Sequence, residues 1–436
     1  MIKKLYIILA FCAVPFLATA QGVSDDDGFD ESSREIRENP VIDWSEEDFD
    51  ITIPSFVNNK LNRIAFNGAD WSRVIKSISS TAISGNASIV HIGDSHLQSG
   101  HVATEVRNNL QFDYGNAGRG LIAPLKMTKT NQPADYEFSS TQSWSAIKLM
   151  SHRWQNTMGF TGTSISPANK NSNFFVATSE RDDYNPFSAI TIFHGGQFFV
   201  TSITDTNGAL IPFLSMPSRD YTHITLTKDV TSARINFESA GDLTVYGVSL
   251  SGNRPGIFFH SIGNNGASFS TYNKIGTVGP GIAPLQPDLV IISLGTNEAF
   301  GKESKRAIQS SIDALVTNIR SANPHVTFLL VTPMECQKSQ YTKVKTKKGR
   351  RTSYKSSRSF VINSEIVNVR DAIIDYGKEH QIAVYDWYAV AGGKNISTKW
   401  IDNGYFSSDR IHLSYKGYRL QGFLLYQALK EAFTNY

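Results

Sequence analysis

The sequence has little cysteine and, beyond its first twenty residues, no long apolar run. Its 436 residues include two cysteines, Cys12 and Cys336. Removal of the amino-terminal segment described below would leave Cys336 alone, which excludes an intramolecular disulfide. No later apolar run reaches the roughly 20 residues that a transmembrane helix needs. The aromatic content of 11% is enough for a packed core.

Motifs for metals and nucleotides are also missing. The sequence has no His-Glu-x-x-His pair, no paired cysteines and no acidic calcium loop, so we expect neither a metal nor a cofactor. The glycine-rich run 114–120 has neither the Lys-Ser/Thr ending of a phosphate loop nor the spacing of a dinucleotide fingerprint. The Gly-x-Ser-x-Gly motif of α/β-hydrolases is absent as well.

The amino terminus has the three parts of a secretory signal. Lys3 and Lys4 precede an apolar run over residues 5–17, and Ala18-Thr19-Ala20 supplies small residues for cleavage. We therefore predict a signal peptide over residues 1–20 and an exported protein with no stable membrane insertion after cleavage. The periplasm is the expected location, with secretion as the second choice. Residues 21–50 are acidic and poor in apolar side chains, which predicts a disordered leader.

Two kinds of sequence pattern follow one another along the rest of the chain. Short apolar runs, each followed by a helical pattern, indicate an α/β fold with a parallel sheet, and they lie at 89–92, 257–262, 288–294, 326–331 and 382–385. Residues 128–252 instead show short alternating strands between turn residues, typical of an antiparallel β-sandwich. We predict one discontinuous α/β domain over 51–127 and 253–436, interrupted by a β-sandwich module.

Several predicted strands end in small or polar residues that should converge on one edge of the sheet. Ser95 follows the first strand, where a serine is either a helix cap or a nucleophile. Asp409 and His412 are three residues apart, so the carboxylate can orient the imidazole toward Ser95. The backbone N–H groups of Ser95 and Gly266 and the amide of Asn297 could stabilise an oxyanion. These are the parts that acyl transfer requires.

The segments Gly93-Asp94-Ser95-His96, Gly266, Gly295-Thr296-Asn297-Glu298 and Asp409-x-x-His412 resemble the four sequence blocks of SGNH (GDSL-type) hydrolases. The resemblance implies a flavodoxin-like three-layer fold and ester hydrolysis by Ser95, His412 and Asp409, with Gly266 and Asn297 as oxyanion donors. Gly263 is an alternative to Gly266. The inserted module makes the chain most similar to bacterial peptidoglycan or polysaccharide O-acetylesterases, in which the insert is similar to a carbohydrate-binding module.

Other residues near these blocks are candidates for substrate binding. His96 and Glu298 are adjacent to the predicted site, and the basic stretch 338–358 contains Lys347, Lys348, Arg350 and Arg351. This stretch is either a solvated loop or a clamp for an anionic glycan. An exported protein has little reason to bind nucleic acid, so we expect no such partner.

The sequence thus predicts an exported serine esterase that removes short acyl groups, most readily acetyl, from a carbohydrate polymer or oligosaccharide, with peptidoglycan as one possible substrate. Two alternatives remain open. An O-acyltransferase would use the same residues, and a non-catalytic glycan-binding protein would use the α/β domain only as a scaffold. The sequence indicates no oligomeric state.

Overall fold

The structure, a computed structural model, describes residues 51–154, 157–178, 185–348 and 351–436. The side chains of residues 344, 346–348, 351–353 and 355 lie outside this description. The predicted signal peptide and acidic leader also lie outside the described residues. Within these ranges, no helix is both long and apolar enough to cross a membrane.

The strands are β1 (Asn86–Gly93), β2 (Gly120–Ile122), β3 (Tyr136–Ser139), β4 (Trp144–Lys148), β5 (Thr163–Pro167), β6 (Asn171–Thr178), β7 (Phe187–Gly195), β8 (Phe198–Thr204), β9 (Phe213–Pro217), β10 (Tyr221–Val230), β11 (Ser232–Ser239), β12 (Thr244–Ser251), β13 (Gly256–Gly263), β14 (Leu289–Ser293), β15 (Thr327–Val331), β16 (Gln337–Lys348), β17 (Arg351–Ile362) and β18 (Ala383–Tyr385). The α-helices are α1 (Ser72–Ser80), α2 (Ser95–Gln98), α3 (His101–Tyr114), α4 (Phe269–Asn273), α5 (Val278–Ile282), α6 (Glu298–Gly301), α7 (Lys305–Ala322), α8 (Glu365–Glu379), α9 (Trp387–Val390), α10 (Ser397–Asp402) and α11 (Tyr415–Asn435).

A parallel five-stranded sheet in the order β13-β1-β14-β15-β18 forms the centre of the α/β domain. Ile89, Val90 and Ile92 of β1 are at most 1% exposed, because a parallel strand covered on both faces needs apolar side chains on both. One group of helices contains α1, α3 and α11, and a second contains α4, α5, α7 and α8, with contacts within each group. The predicted flavodoxin-like three-layer fold is confirmed.

Two antiparallel sheets form the inserted module. The first has the strand order β4-β5-β12-β7-β10-β9 with β2 added beside β12, and the second has the order β3-β6-β11-β8. Both contribute to a separate hydrophobic cluster that includes Phe174, Ile192 and Val248. The predicted antiparallel β-sandwich interrupting the α/β domain is therefore confirmed. Strand β2, which lies before residue 128, pairs with β12 of the module.

The module and the α/β domain share buried contacts. Leu149, Phe160 and Phe193 of the module belong to the same hydrophobic cluster as the parallel sheet. The carboxylate of Asp135 lies 2.8 Å from Arg107 of α3 and 2.6 Å from Arg119, with all three side chains at most 5% exposed. The Arg107 and Arg119 guanidinium groups outweigh the effect of burial and hold the pKa of Asp135 below its usual value.

The basic stretch forms a long β-hairpin and not a loop, which corrects the expected conformation and leaves its role open. Strands β16 and β17 pair antiparallel over their whole length, from Gln337 opposite Ile362 to Lys348 opposite Arg351. Threonine, valine and tyrosine alternate with the lysines, and all three favour strands. Positive charge alone made this segment look like a loop.

Candidate active site

Ser95 is the first residue of α2, directly after β1. The backbone turns so tightly there that a Cβ added to Gly93 would lie 2.8 Å from the Cβ of Leu97, and glycine, which has no Cβ, avoids this clash. The cap of this helix is Asp94, whose Oδ1 accepts a hydrogen bond from the His96 N–H at 2.9 Å. Burial raises the pKa of Asp94 to about 6. Because Asp94 serves as the cap, the hydroxyl of Ser95 is available for another role.

His412 connects Ser95 to Asp409. The Nε2 atom of His412 lies 2.7 Å from the Ser95 Oγ, and its Nδ1 atom lies 2.6 Å from Asp409 Oδ2. The other carboxylate oxygen, Asp409 Oδ1, accepts hydrogen bonds from the backbone N–H groups of Ile411 and His412. This local turn explains the three-residue spacing of Asp409 and His412, because the Asp409 carboxylate binds both the backbone of the turn and the imidazole ring.

The same contacts set the ionisation of the pair. Burial disfavours the imidazolium, but the hydrogen bond and charge of Asp409 outweigh burial and raise the pKa of His412 above its usual value. Burial would raise the pKa of Asp409, but its bonds to His412 and the backbone lower it overall. An ionised Asp409 therefore stabilises a protonated His412, as a general base in acyl transfer requires.

Hydrogen-bond donors lie at the ends of the neighbouring strands. Neither the Ser95 N–H nor the Gly266 N–H has an acceptor among the described residues. Gly266 has a φ of 75°, which favours glycine, and a Cβ added there would lie 3.5 Å from the Met150 Cε of the module. The Nδ2 of Asn297 donates to Ala267 O at 2.8 Å and, over 3.3 Å, to Asp94 Oδ2.

Gln98, which was not predicted from the sequence, connects these parts. Its Oε1 accepts a hydrogen bond from the Asn265 N–H at 2.6 Å, one residue before Gly266. Its Nε2 donates to Thr130 Oγ1 and to the backbone and side-chain oxygens of Asn131. Gln98 thus connects α2, which begins at Ser95, with the Gly266 loop and the start of the module. Its position three residues after Ser95, on a short helix, was the available signal.

His96 lies behind the imidazole of His412. The two ring centroids are 5.2 Å apart, and His96 Nδ1 lies 3.2 Å from the hydroxyl of Tyr418. Burial lowers the pKa of His96 to about 3, so its ring is neutral at physiological pH. The structure therefore brings His96 against the candidate base, with no bond between His96 and Ser95.

Glu298 is buried beneath the loops. It is 2% exposed, and its Oε1 accepts a hydrogen bond from the Phe269 N–H at 2.7 Å. Burial raises the pKa of Glu298 to about 7. Its visible role is to tie the Asn297 loop to the first residue of α4. Among the residues that the structure describes, no three His, Cys, Asp or Glu side chains are grouped to hold a metal ion.

The basic hairpin begins next to the His412 loop. The Gln337 N–H donates to Arg410 O at 3.0 Å, and the Arg410 guanidinium donates to Gln337 Oε1 at 2.9 Å. The same guanidinium lies 4.1 Å from the ring centroid of Phe360 on the second strand. Lys347, Lys348 and Arg351 are at the far end of the hairpin, but their side chains, like the whole of Arg350, lie outside the described residues.

The fold and the site together define a class. A parallel α/β sheet presents a serine, a histidine and an aspartate as one hydrogen-bonded chain, beside backbone N–H groups that lack acceptors among the residues described. This arrangement has the parts that acyl transfer through a serine would require.

Comparison with known proteins narrows that class. Residues 243–420 match the model of the GDSL-like lipase/acylhydrolase family, so this part of the chain is similar to that family. The match begins one residue before β12 and includes Gly266, Asn297, Asp409 and His412. Ser95 lies before it, separated by the inserted module. No curated protein matches the chain.

The fold has a counterpart among solved structures. A peptidoglycan O-acetylesterase structure ("Peptidoglycan O-acetylesterase in action, 5 min") is similar over 86% of this chain and 99% of that chain, with a TM-score of 0.67 and 19% identity. A lipase/acylhydrolase from Enterococcus faecalis is 18% identical over 41% of this chain and 77% of its own, with a TM-score of 0.29. A GDSL-like lipase from Bacteroides thetaiotaomicron is 18% identical over 40% of this chain and 76% of its own, also with a TM-score of 0.29.

Proposed function

We propose that this protein is an exported serine esterase that removes O-acetyl groups from a carbohydrate polymer, with peptidoglycan as the favoured substrate. The observation that carries the proposal is the hydrogen-bonded chain from Ser95 Oγ through His412 to Asp409, with distances of 2.7 and 2.6 Å. The family match supports acyl-ester chemistry. The likeness to a peptidoglycan O-acetylesterase over nearly the whole of that protein supports the choice of polymer.

In the first half-reaction, His412 Nε2 takes the proton from Ser95 Oγ as the oxygen attacks the acetyl carbonyl carbon. The carbonyl oxygen becomes an oxyanion that accepts hydrogen bonds from the Ser95 and Gly266 N–H groups and from the amide of Asn297. The bond between the carbonyl carbon and the sugar oxygen then breaks. His412 returns its proton to that oxygen, which leaves a free sugar hydroxyl and an acetyl group on Ser95.

In the second half-reaction, water replaces the sugar hydroxyl. His412 takes a proton from the water, whose oxygen attacks the acetyl-enzyme and forms a second tetrahedral intermediate. The bond to Ser95 Oγ breaks, Ser95 regains its proton from His412, and acetate leaves. Asp409 remains ionised throughout and stabilises the imidazolium that forms in each half-reaction.

The test compares wild type with Ser95→Ala on O-acetylated peptidoglycan and on 4-nitrophenyl acetate. We expect Ser95→Ala to lose about 10⁵–10⁶-fold in kcat on both substrates while keeping its circular dichroism spectrum. Ser99→Ala, on the same short segment, is the matched control and should remain active. Full activity of Ser95→Ala would refute the proposal. Transfer of acetyl to an added sugar acceptor in preference to water would identify an acyltransferase instead.

A further inference from the structure

The basic hairpin formed by β16 and β17 concentrates positive charge, whereas residues 51–336 and 363–436 are nearly balanced, with 29 basic and 27 acidic residues. The acidic excess of the chain lies in residues 1–50, with 4 basic and 12 acidic residues. Residues 337–362 contain nine of the 42 Lys and Arg residues and none of the 39 Asp and Glu residues. The rest of the chain has 33 basic and 39 acidic residues, a net charge of −6. A long-range field of this kind attracts anionic partners to one region of a protein.

The register of the hairpin separates its two faces. Directly opposed residues of an antiparallel pair point to the same face, and the face alternates with each residue. Along one face the described pairs are Gln337 with Ile362, Ser339 with Phe360, Tyr341 with Arg358, Lys343 with Ser356 and Lys345 with Tyr354. This face therefore combines tyrosines with cations, and we call it the Tyr-Lys face. The alternate register positions also hold four basic residues, Lys338, Lys348, Arg351 and Lys355, among Ser, Thr, Gln and Val residues, but no tyrosine. The tyrosines, and not the charge alone, therefore distinguish the Tyr-Lys face.

The base of the Tyr-Lys face contacts the loop that carries Asp409 and His412. Both Gln337 and Phe360, at its base, contact Arg410, which lies between Asp409 and His412 in sequence. The side chains of Tyr341 and Tyr354 are 58% and 64% exposed, although aromatic rings are usually buried. From Gln337 to Lys345 the strand extends about 25 Å. A polymer whose acetyl group lies at Ser95 could therefore follow this face.

We propose that the Tyr-Lys face docks the carboxylate-bearing strand of an anionic glycan polymer during hydrolysis of its acetyl groups. Lys343, Lys345 and Arg358 pair with carboxylates, while Tyr341 and Tyr354 stack on sugar rings between them. The proposal deepens the esterase function and rests on it for the acetyl group at Ser95. A lone cluster of exposed lysines would bind any anion weakly, whereas exposed tyrosines interleaved on the same face favour a sugar polymer over a phospholipid surface.

The test uses the full chain and a triple variant, Lys343→Gln/Lys345→Gln/Arg358→Gln. The matched control, Lys60→Gln/Arg73→Gln/Lys76→Gln, removes the same number of exposed charges near and on α1. The first measurement is acetate release from O-acetylated peptidoglycan sacculi, divided by the rate on 4-nitrophenyl acetate. We expect the hairpin variant to lower this ratio about tenfold at subsaturating sacculi, because three exposed charge contacts are lost together. The control should match wild type.

The second measurement is co-sedimentation with sacculi, with neutral acetylated xylan and with anionic phospholipid vesicles. Wild type should sediment with sacculi at low salt, less at high salt and little with xylan, since exposed charge pairs are screened. Tyr341→Ala/Tyr354→Ala should weaken binding to sacculi while leaving the salt dependence intact.

Three outcomes would overturn the proposal. The first is equal sedimentation of the hairpin variant and the control with sacculi. The second is retention on vesicles without retention on sacculi. The third is self-association of the hairpin variant with an unchanged activity ratio, which would mean that the lysines protect open strand edges. If wild type fails to hydrolyse 4-nitrophenyl acetate, the esterase proposal fails, while co-sedimentation still tests the hairpin.

Discussion

The two sides of the Ser95 hydroxyl differ in how completely their polar groups are paired. On the proton-transfer side, both nitrogens of His412 and both carboxylate oxygens of Asp409 have partners. On the oxyanion side, the N–H groups of Ser95 and Gly266 have no acceptor in the described part of the chain. The Nδ2 of Asn297 has two acceptors, Ala267 O and, over a longer distance, Asp94 Oδ2. In the proposed mechanism, the proton-transfer side is complete before substrate arrives, whereas the acyl oxygen supplies the missing acceptor on the oxyanion side.

This difference has an energetic reason. A donor without an acceptor costs free energy if it is buried, so such groups persist where solvent or a ligand can reach them. A base and its carboxylate gain from being assembled beforehand, because no reorganisation is then needed during reaction. We therefore expect substitutions on the proton-transfer side to have the larger effects.

The largest effect should come from His412→Ala. Without a base the Ser95 hydroxyl cannot be deprotonated, and we expect kcat to fall about 10⁵–10⁶-fold. The measurement is the rate of 4-nitrophenyl acetate hydrolysis, with the exposed His325→Ala as the matched control. A loss of tenfold or less would mean that the contact between His412 and Ser95 is not part of the reaction.

Asp409→Asn should have the second-largest effect on kcat. The amide leaves the ring in place but no longer stabilises the imidazolium, and we expect kcat to fall about 10³–10⁴-fold. The exposed Asp402→Asn serves as the control in the same assay. If Asp409→Asn retains wild-type activity, the carboxylate only shapes the loop.

On the oxyanion side, Asn297→Ala should lower kcat about 10²–10³-fold, the typical loss for one oxyanion donor. KM should change little, because the hydrogen bond strengthens only as charge develops on the acyl oxygen. Steady-state kinetics on 4-nitrophenyl acetate, with Asn207→Ala in a module turn as control, measures both constants. A loss as large as that of His412→Ala would contradict the ranking of the two sides.

The pH dependence of wild type tests the proton-transfer side without mutation. The pKa of His412 is raised above 6.5. As the pH falls through that raised pKa, the ring becomes protonated and can no longer accept the Ser95 proton. We expect kcat/KM to fall about tenfold per pH unit on the acid side, with an apparent pKa above 6.5. Asp409→Asn should move this limb to lower pH. An acid limb below pH 5 in wild type would be inconsistent with His412 as the base.

The smallest expected effect belongs to Gln98→Leu. This substitution removes the acceptor that fixes the Asn265 peptide next to Gly266, so we expect a three- to tenfold loss of kcat. KM and the acid limb should stay unchanged, and the circular dichroism spectrum and melting temperature should show that the folded fraction equals that of wild type. Gln98→Glu keeps an acceptor oxygen and should recover part of the rate. An unchanged kcat would show that the Gly266 loop holds its geometry without Gln98.

Much of the architecture was predictable because strand patterns are local. The run of Ile89 to Ile92 before Gly93, and the similar run before Gly295, predicted buried parallel strands, and the fold class is confirmed. The module was recognisable from its alternating residues. The hairpin was not recognisable, because lysines interrupt its strand pattern and only the pairing of β16 with β17 reveals it.

The site shows a similar division. Residues at strand ends and the Asp409–His412 spacing could be found in sequence, and the structure brings these side chains together, while their catalytic roles stay predictions. Gln98 was not selected, although it lies three residues after Ser95. Its role depends on a hydrogen bond with Asn265, 167 residues away, and such a contact leaves no local pattern.

The position of the module affects how the chain folds. Strand β1 pairs with β13 and β14, so its neighbours are about 170 and 200 residues away in sequence. Closing loops of this length is slow, because their entropy must be lost before the strands gain any contacts. A module that condenses early would shorten the effective loop by bringing the ends of its 120-odd residues together. Because the insert separates β1 from both of its neighbours, the parallel sheet can be completed only once the two ends of the module have come together.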